Sequence, residues 1–181
     1  CSDIAQIAQA CNTIFIAVQT PHDKLYGGEQ PTSHLPTKNF DYSYLQNVII
    51  ELNHCTTPSH TIVVISTVLP GTIRNVIAPK LNSGAKLLYN PYLIAMGTVS
   101  YDMLHPEMVI IGAAQADAPA IMQLKSLYQK LMPPDVRYET GTWEEAESIK
   151  IFYNTFISAK IAIVNMIQDV AETTGNMNVD I

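Results

Sequence analysis

Charge and cysteine are both scarce in this sequence, and no apolar run is long enough to span a membrane. Asp, Glu, Lys and Arg make up 14% of the 181 residues, the net charge is -6, and the basic residues are scattered. A nucleic-acid partner needs a basic patch that neutralises phosphates, so this distribution argues against one. Without a membrane-length run or a signal peptide, the sequence also predicts no membrane partner.

The three cysteines, Cys1, Cys11 and Cys55, form neither a CxxC pair nor a metal-ligand pattern with the five histidines. This spacing predicts no metal site. Cys11 falls at a helix end and Cys55 in a connector, where packing is a commoner role than nucleophilic catalysis. We therefore expect no cysteine nucleophile in this chain and a reduced, cytoplasmic setting.

A glycine-rich phosphate turn is missing as well. Dinucleotide-binding sheets carry the pattern GxGxxG after their first strand, and the Gly27-Gly28 pair has neither that spacing nor a following helix. Either the sheet binds no dinucleotide, or the strand with the phosphate turn lies before Cys1. The chain starts without Met and in what reads as the middle of a helix, which favours the second alternative and predicts a fragment.

The sequence does contain short apolar runs rich in β-branched residues, and these alternate with helical patterns. Hydrophobic residues reach 48%, which suits a sheet buried on both faces. We predict strands at 13–18, 61–66, 85–89, 108–112 and 136–139, and helices at 2–10, 42–53, 70–81, 116–131 and 142–174. The alternation predicts an α/β fold with a doubly wound parallel sheet, followed by a long α-helix.

Polar residues follow three of the predicted strands at the point where each ends. The three pairs are Gln19-Thr20, Ser66-Thr67 and Asn90-Pro91. Ser, Thr and Asn favour turns and helix caps in any fold, so ordinary turn chemistry explains each pair alone. Because α/β sheets bind ligands beyond the carboxyl ends of their strands, the three pairs taken as a set predict a shared ligand crevice.

Residues 146–165 read as one helix that is apolar around most of its circumference, yet Lys150 and Asn154 share a face, one turn apart. One interpretation is a solvated stripe, since further polar residues follow at a rough helical spacing: Glu147, Ser158, Asn165, Gln168 and Asp169. The other is a site, because a cation and an amide donor fixed on a helix can stabilise a developing oxyanion in a dry cleft. These residues alone leave both interpretations open.

Four segments resemble the UDP-glucose/GDP-mannose dehydrogenase family. Residues 13–21, TIFIAVQTP, are similar to its strand and cofactor turn, and residues 66–72, STVLPGT, to its STVxPGT motif. Residues 90–112 resemble its NPEFLREG and DFLHPxxVxIG stretches. Residues 146–165, AESIKIFYNTFISAKIAIVN, resemble its AExxKxxxNxFLxxKIxxxN helix, the most specific of the four. Their order and spacing also agree, and the resemblance covers essentially the whole chain.

The resemblance implies NAD-dependent oxidation of the C6 alcohol of a nucleotide sugar, such as UDP-glucose, to the carboxylate. It implies a Rossmann-like NAD-binding domain, incomplete at its N-terminal side, of which residues 1–140 are the C-terminal part. Residues 141–181 are then the long helix that opens the central domain and carries the interface of a homodimer. The phosphate turn and the family's catalytic cysteine fall outside this sequence, so we expect no NADH formation by the isolated 181 residues.

The resemblance also implies a role for each residue of this sequence that matches a functional position of the family. Thr67, Lys150 and Asn154 match catalytic residues, with Thr67 beside the nicotinamide and the reacting carbon. The resemblance implies that the cofactor lies against Val18, Gln19, Thr20, Ser66 and Thr67. It implies that the substrate lies against Tyr92, Leu93, Ile94, Ala95 and Met96, together with Lys150 and Asn154.

Tyr92 and Met96 depart from the family pattern, since each replaces a glutamate of NPEFLREG. A phenol is a poor base near neutral pH, and a thioether cannot act as a base. Three explanations compete: another group activates water, the second oxidation stops or proceeds differently, or activity is lost. The presence of Thr67, Lys150 and Asn154 together favours the first.

Two other functions stay open at this point. A degenerate homologue would bind a nucleotide sugar or serve only dimerisation. A related dehydrogenase of small hydroxy acids would also combine a Rossmann domain with a helix-borne lysine and asparagine, although the NP and HP segments argue against it. The DMLHP segment at residues 102–106 is closer to the UDP-glucose branch of the family than to the GDP-mannose branch.

Overall fold

The computed structural model describes residues 3–95, 97–115 and 118–180. Its helices are α1 (Ile4–Ala10), α2 (Ser43–Leu52), α3 (Val99–Leu104), α4 (Pro119–Tyr128) and α5 (Trp143–Thr174). Its strands are β1 (Thr13–Ile16), β2 (Thr61–Val64), β3 (Lys86–Tyr89), β4 (Met108–Ala113) and β5 (Arg137–Thr142). Short 3₁₀ turns cover Lys24–Tyr26 and Ala78–Lys80, and a π-helical turn covers Ile73–Ile77.

The described strands form one five-stranded sheet in the order β1-β2-β3-β4-β5. β1, β2 and β3 are parallel, and β5 is parallel to β4. β4, however, runs antiparallel to β3 and pairs with it where Tyr89 faces Gly112. The predicted α/β, Rossmann-like class is confirmed, with a mostly parallel sheet in place of the fully parallel one that we predicted.

The connection between β3 and β4 explains the reversal. Parallel neighbours need a crossover, usually a helix packed on the sheet. α3, which the sequence analysis missed, has six residues and buries none of them. Since α3 does not cover the sheet, the chain turns back instead of crossing over. The reversal brings the start of β4 to the edge where β1, β2 and β3 end.

Side chains alternate between two buried layers of the sheet. Ile62 and Val64 face a core completed by α1, α2 and the start of α5. Val63, between them, faces the opposite core, which α4 completes. All three side chains are fully buried, so both faces of the sheet are covered, as a doubly wound fold requires.

Residues 70–81 form turns where we predicted a regular helix. Gly71 has a φ of 85°, a left-handed conformation that glycine adopts without steric cost. Pro79 has no N–H to donate and lies in the 3₁₀ turn that ends the segment. The π-helical turn between these two residues therefore does not extend into an α-helix at either end.

The start of α5 is fixed firmly on the sheet. Thr142 caps the helix, since its hydroxyl accepts from the Glu145 N–H while the Glu145 carboxylate accepts from the Thr142 N–H. A Cβ on Gly112 of β4 would lie 2.7 Å from the Ala146 Cβ, so only glycine allows this close approach. The Trp143 indole donates to the Leu87 carbonyl at 3.2 Å. These contacts determine where the next turns of α5 lie.

The rest of α5 extends away from the sheet. Every residue from Asn154 to Val170 is exposed, and large apolar side chains are among them: Phe156, Ile161, Ile163, Val164, Met166, Ile167 and Val170. Nevertheless, none of the helices in the described ranges is long and apolar enough to cross a bilayer.

Candidate active site

Lys150 is a buried cation in the second turn of α5. Its side chain is held against the sheet because α5 starts close to β4, and the residue is only 8% exposed. Its Nζ donates to the Tyr92 carbonyl at 2.8 Å. Burial lowers the pKa of Lys150 from its usual value, because the charged form loses its hydration.

A cavity of about 560 Å³ opens beside Lys150. Five of the residues predicted to bind substrate line it, and these are Leu93, Ile94, Ala95, Lys150 and Asn154. Its volume lies in the usual range for small-molecule sites. The structure thus gathers the lysine and asparagine of α5 and the loop after β3 around one space.

The sequence analysis gave no role to four further polar residues of this cavity, which are Asp102, His105, Glu107 and Tyr153. Asp102 holds the loop before α3, since its carboxylate accepts from the Ala95 N–H at 2.9 Å and the Thr98 hydroxyl at 2.7 Å. Tyr153 donates its hydroxyl to Glu107 at 2.6 Å. Tyr153 was within reach of prediction, because it lies three residues after Lys150 on the same helix. Glu107 was not, since its place depends on the direction of β4.

The turns after β1 and β2 form a second polar group. The Ser66 hydroxyl donates to the Val18 carbonyl, and the Thr20 hydroxyl donates to the Thr67 carbonyl at 2.7 Å. The predicted cofactor residues Val18, Thr20, Ser66 and Thr67 are therefore brought together, with Gln19 between two of them in the chain. The Thr67 hydroxyl, half-buried, makes no hydrogen bond within the described ranges and can bind a ligand.

Glu147 joins the second group to α5. It is fully buried, and its carboxylate accepts from the Gly71 N–H at 2.6 Å and the Ile73 N–H at 2.7 Å. Burial raises the pKa of Glu147, and the two backbone donors partly offset that rise. The turn that follows Thr67 is thereby tied to the helical turn just before Lys150.

The side chains of Asn90 and Tyr92 point away from the cavity. Asn90 is fully buried and donates its amide to the Ile110 carbonyl at 2.6 Å. The Tyr92 hydroxyl bonds the Tyr128 hydroxyl at 2.8 Å, and Tyr128 in turn donates to Asn90. Asn90 therefore joins β3 to β4 instead of joining the crevice predicted from the strand ends, and Tyr92 accepts the hydrogen bond from Lys150 through its backbone carbonyl. Met96, the other replaced glutamate, lies outside the described residues.

Fold and site together define a class of protein. A mostly parallel sheet covered on both faces, with polar turns where β1 and β2 end, is a Rossmann-type cofactor-binding domain. The family model described as "UDP-glucose/GDP-mannose dehydrogenase family, NAD binding domain" matches residues 1–132. The chain belongs to this family.

Relatives and solved structures agree with that assignment. GDP-mannose 6-dehydrogenase of Pseudomonas putida is 31% identical, with 96% of this chain and 38% of the relative covered. UDP-glucose 6-dehydrogenase of Rickettsia typhi is 27% identical, with 91% and 35% covered. A ternary complex of GDP-mannose dehydrogenase from Pseudomonas aeruginosa superposes with a TM-score of 0.81 at 28% identity, covering 97% of this chain and 39% of that one. The chain thus spans less than two-fifths of each.

NAD is the cofactor of this domain. The free Thr67 hydroxyl and the carbonyls of the two joined turns offer both donor and acceptor groups, which fits the amide of a nicotinamide ring. The glycine-rich turn that holds a diphosphate is not in the sequence. The residues present therefore fit the nicotinamide end of NAD, and the described residues include no glycine-rich turn of this kind for its phosphates.

Proposed function

We propose that the natural protein carrying this chain is an NAD-dependent nucleotide-sugar 6-dehydrogenase that converts the C6 alcohol of a UDP-glucose-like substrate to the carboxylate. The observation that carries the proposal is the pairing of Lys150 and Asn154 on one cavity, beside the loop at residues 93–95. The names of the relatives support it, since they are dehydrogenases of UDP-glucose or GDP-mannose.

The proposed reaction requires the protein to stabilise negative charge on the oxygen at C6. Each oxidation removes a hydride from C6, for which NAD is the acceptor, and releases the proton of its oxygen to water. Lys150 Nζ and the Asn154 amide donate hydrogen bonds to that oxygen, both as the alcohol loses its proton and after water adds to the aldehyde. Burial of Lys150 strengthens its interaction with that oxygen, and the Tyr92 carbonyl fixes the position of Nζ before substrate binds.

The proposed enzyme contains this chain as parts of two of its domains. Residues 1–140 form the C-terminal part of the NAD-binding domain, and residues 141–181 form the helix that opens the next domain. The exposed apolar residues of α5 form the interface of a homodimer. The two described cysteines, Cys11 and Cys55, are both free thiols, which supports a reduced, cytoplasmic setting.

The test is NADH formation by the natural protein with UDP-glucose and with GDP-mannose, before and after Lys150→Met. Removing the ammonium should lower kcat by about a hundredfold or more, because a charged donor to the oxyanion is lost. Circular dichroism should stay unchanged, since Met keeps the apolar stem of the lysine. Lys130→Met, at an exposed lysine after α4, is the matched control and should behave as the unmodified protein.

A second function is favoured by one observation. The Tyr92 side chain, which stands in place of a family glutamate, bonds Tyr128 rather than facing the cavity. In a catalytically degenerate homologue, the cavity would bind a nucleotide sugar without oxidising it. Binding of nucleotide sugar by calorimetry, with no NADH formed by the unmodified protein, would support this alternative over the enzyme.

A further inference from the structure

The Glu107–Tyr153 pair lies on the cavity but belongs to none of the motif positions discussed above. The Tyr153 hydroxyl donates to Glu107 Oε2 at 2.6 Å, joining α5 to the segment just before β4. The hydrogen bond to the Glu107 carboxylate raises the pKa of Tyr153, so the phenol stays a donor. The hydrogen bond thus joins two elements of the fold that are far apart in the sequence.

Two features of the fold bring the pair to the site. β4 runs antiparallel to β3, so Glu107, the residue before β4, lies at the edge of the sheet where β3 ends. The loop at residues 93–95 begins near the same edge. Tyr153 follows Lys150 by three positions on α5, and residues at this spacing are neighbours on a helix surface. Glu107, Tyr153, Lys150 and Asn154 all line the same cavity as a result.

Both carboxylates of this cavity keep one oxygen that accepts no hydrogen bond within the described residues. Asp102 uses Oδ2 for the Ala95 N–H and the Thr98 hydroxyl, so its position is fixed by its own loop, whereas Glu107 is held from α5 beside Lys150 and Asn154. Tyr153 occupies only Oε2 of Glu107, and Oε1 accepts no hydrogen bond within the described part of the chain. Lys150 supplies only donors.

We propose that Glu107, oriented by Tyr153, accepts a hydrogen bond from a ring hydroxyl of the sugar and is a specificity-determining residue. This inference rests on the proposed function, since it needs a sugar in the cavity. Each sugar hydroxyl can donate once, and Glu107 Oε1 provides the matching acceptor beside the donors Lys150 and Asn154. Because Glu107 is exposed, water can take the place of a missing hydroxyl, so the carboxylate favours the full sugar over the analogue by a modest factor.

The experiment compares the natural protein with Glu107→Gln and Tyr153→Phe. We would measure kcat/KM for the preferred nucleotide sugar and for its analogues deoxygenated at single ring positions. Glu107→Gln should lower kcat/KM for the full sugar by about threefold to tenfold. For one of the deoxy analogues it should change nothing, since that analogue has no hydroxyl to bond. Tyr153→Phe should lower kcat/KM less, through KM, because the carboxylate stays but is held less firmly.

The matched control is Glu51→Gln, at an exposed glutamate of α2, which should leave every value unchanged. If Glu107→Gln matched this control on all sugars, or lost the same factor on every analogue, the inference would be overturned while the proposed function stood. If the unmodified protein oxidised no nucleotide sugar, the proposed function would fail and the inference with it. The two failures are therefore distinguishable.

Discussion

Individual side chains at this site either face the cavity or hold the backbone around it. Lys150 and Asn154 face the cavity, and Lys150 also fixes the loop after β3 through the Tyr92 carbonyl. Asn90, Tyr92 and Tyr128 form a chain of hydrogen bonds on the other side of that loop. The position of the loop after β3 thus depends on buried polar groups as much as on apolar packing.

Tyr128→Phe tests this chain of hydrogen bonds. The substitution removes the donor to the Asn90 side chain and leaves the Tyr92 hydroxyl without its partner, and Tyr128 is buried. We expect the free energy of unfolding to fall by about 1–3 kcal/mol, as measured by urea denaturation. Tyr44→Phe, at an exposed tyrosine of α2, is the control and should change little. Equal stability of the two variants would contradict the role given to Tyr128.

At this scale helical spacing predicted that Lys150 and Asn154 share a face of α5, because spacing on a helix of 32 residues is a local property, and both residues line the cavity. Their assignment to catalysis came from the resemblance and stays a prediction. The direction of the Tyr92 side chain was not predictable. It depends on Tyr128, which is 36 residues further along the chain and meets Tyr92 only once the sheet has formed.

Among the elements, the turn at residues 71–73 and the start of α5 depend on one another. Glu147 takes the N–H groups of Gly71 and Ile73 that a regular helix would direct to its own carbonyls or to water. This long-range contact, together with Gly71 and Pro79, is why the predicted helix at residues 70–81 is replaced by short turns. The direction of β4 is equally non-local, since apolar periodicity predicts a strand without saying which way it runs.

Glu147→Gln tests the link between these elements through its pH dependence. Burial raises the pKa of Glu147 above the usual 4.5. In the folded protein the pKa of Glu147 is raised, and in the unfolded chain it has its usual value. At pH values between the two, the folded protein binds more protons at Glu147 than the unfolded chain does, so the contribution of Glu147 to stability falls as pH rises. In the variant that decline should disappear, and at neutral pH the backbone N–H that faces the Gln amide nitrogen in place of an oxygen should cost about 1–3 kcal/mol.

The measurement is urea denaturation at several pH values across the acidic range. Glu172→Gln, an exposed glutamate near the end of α5, is the control and should keep the pH dependence of the unmodified protein. The same pH dependence in Glu147→Gln as in this control would show that Glu147 is not the titrating group.

The whole molecule is a doubly wound sheet with a long helix extending from it. The apolar and charge composition predicted the covered sheet, because strands buried on both faces need nearly continuous apolar runs. The local sequence pattern does not determine what the exposed part of α5 packs against, since an apolar helix surface is equally suited to another domain or to another copy of the chain. We propose a second copy of the chain, and the mass of the protein in solution tests this proposal.

Dimerisation through α5 predicts a concentration-dependent mass in sedimentation equilibrium of the natural protein. The double variant Ile163→Glu, Ile167→Glu places two charges one turn apart on an exposed apolar face. Their burial at an interface would be costly, so we expect the dimer to weaken by at least about tenfold. Gln168→Glu, on the polar stripe of the same helix, should have little effect. A natural protein that stays monomeric at all concentrations would contradict the assignment.

The most direct test of the central claim is the number of NADH molecules formed for each nucleotide sugar consumed by the natural protein. Oxidation of the C6 alcohol to the carboxylate removes four electrons, so the account predicts two NADH and a uronate product. The isolated 181 residues, which contain no glycine-rich phosphate turn, should form none. One NADH per sugar would mean that the reaction stops at the aldehyde, and no NADH with any nucleotide sugar would mean that the protein is not this dehydrogenase. Either result would contradict the account.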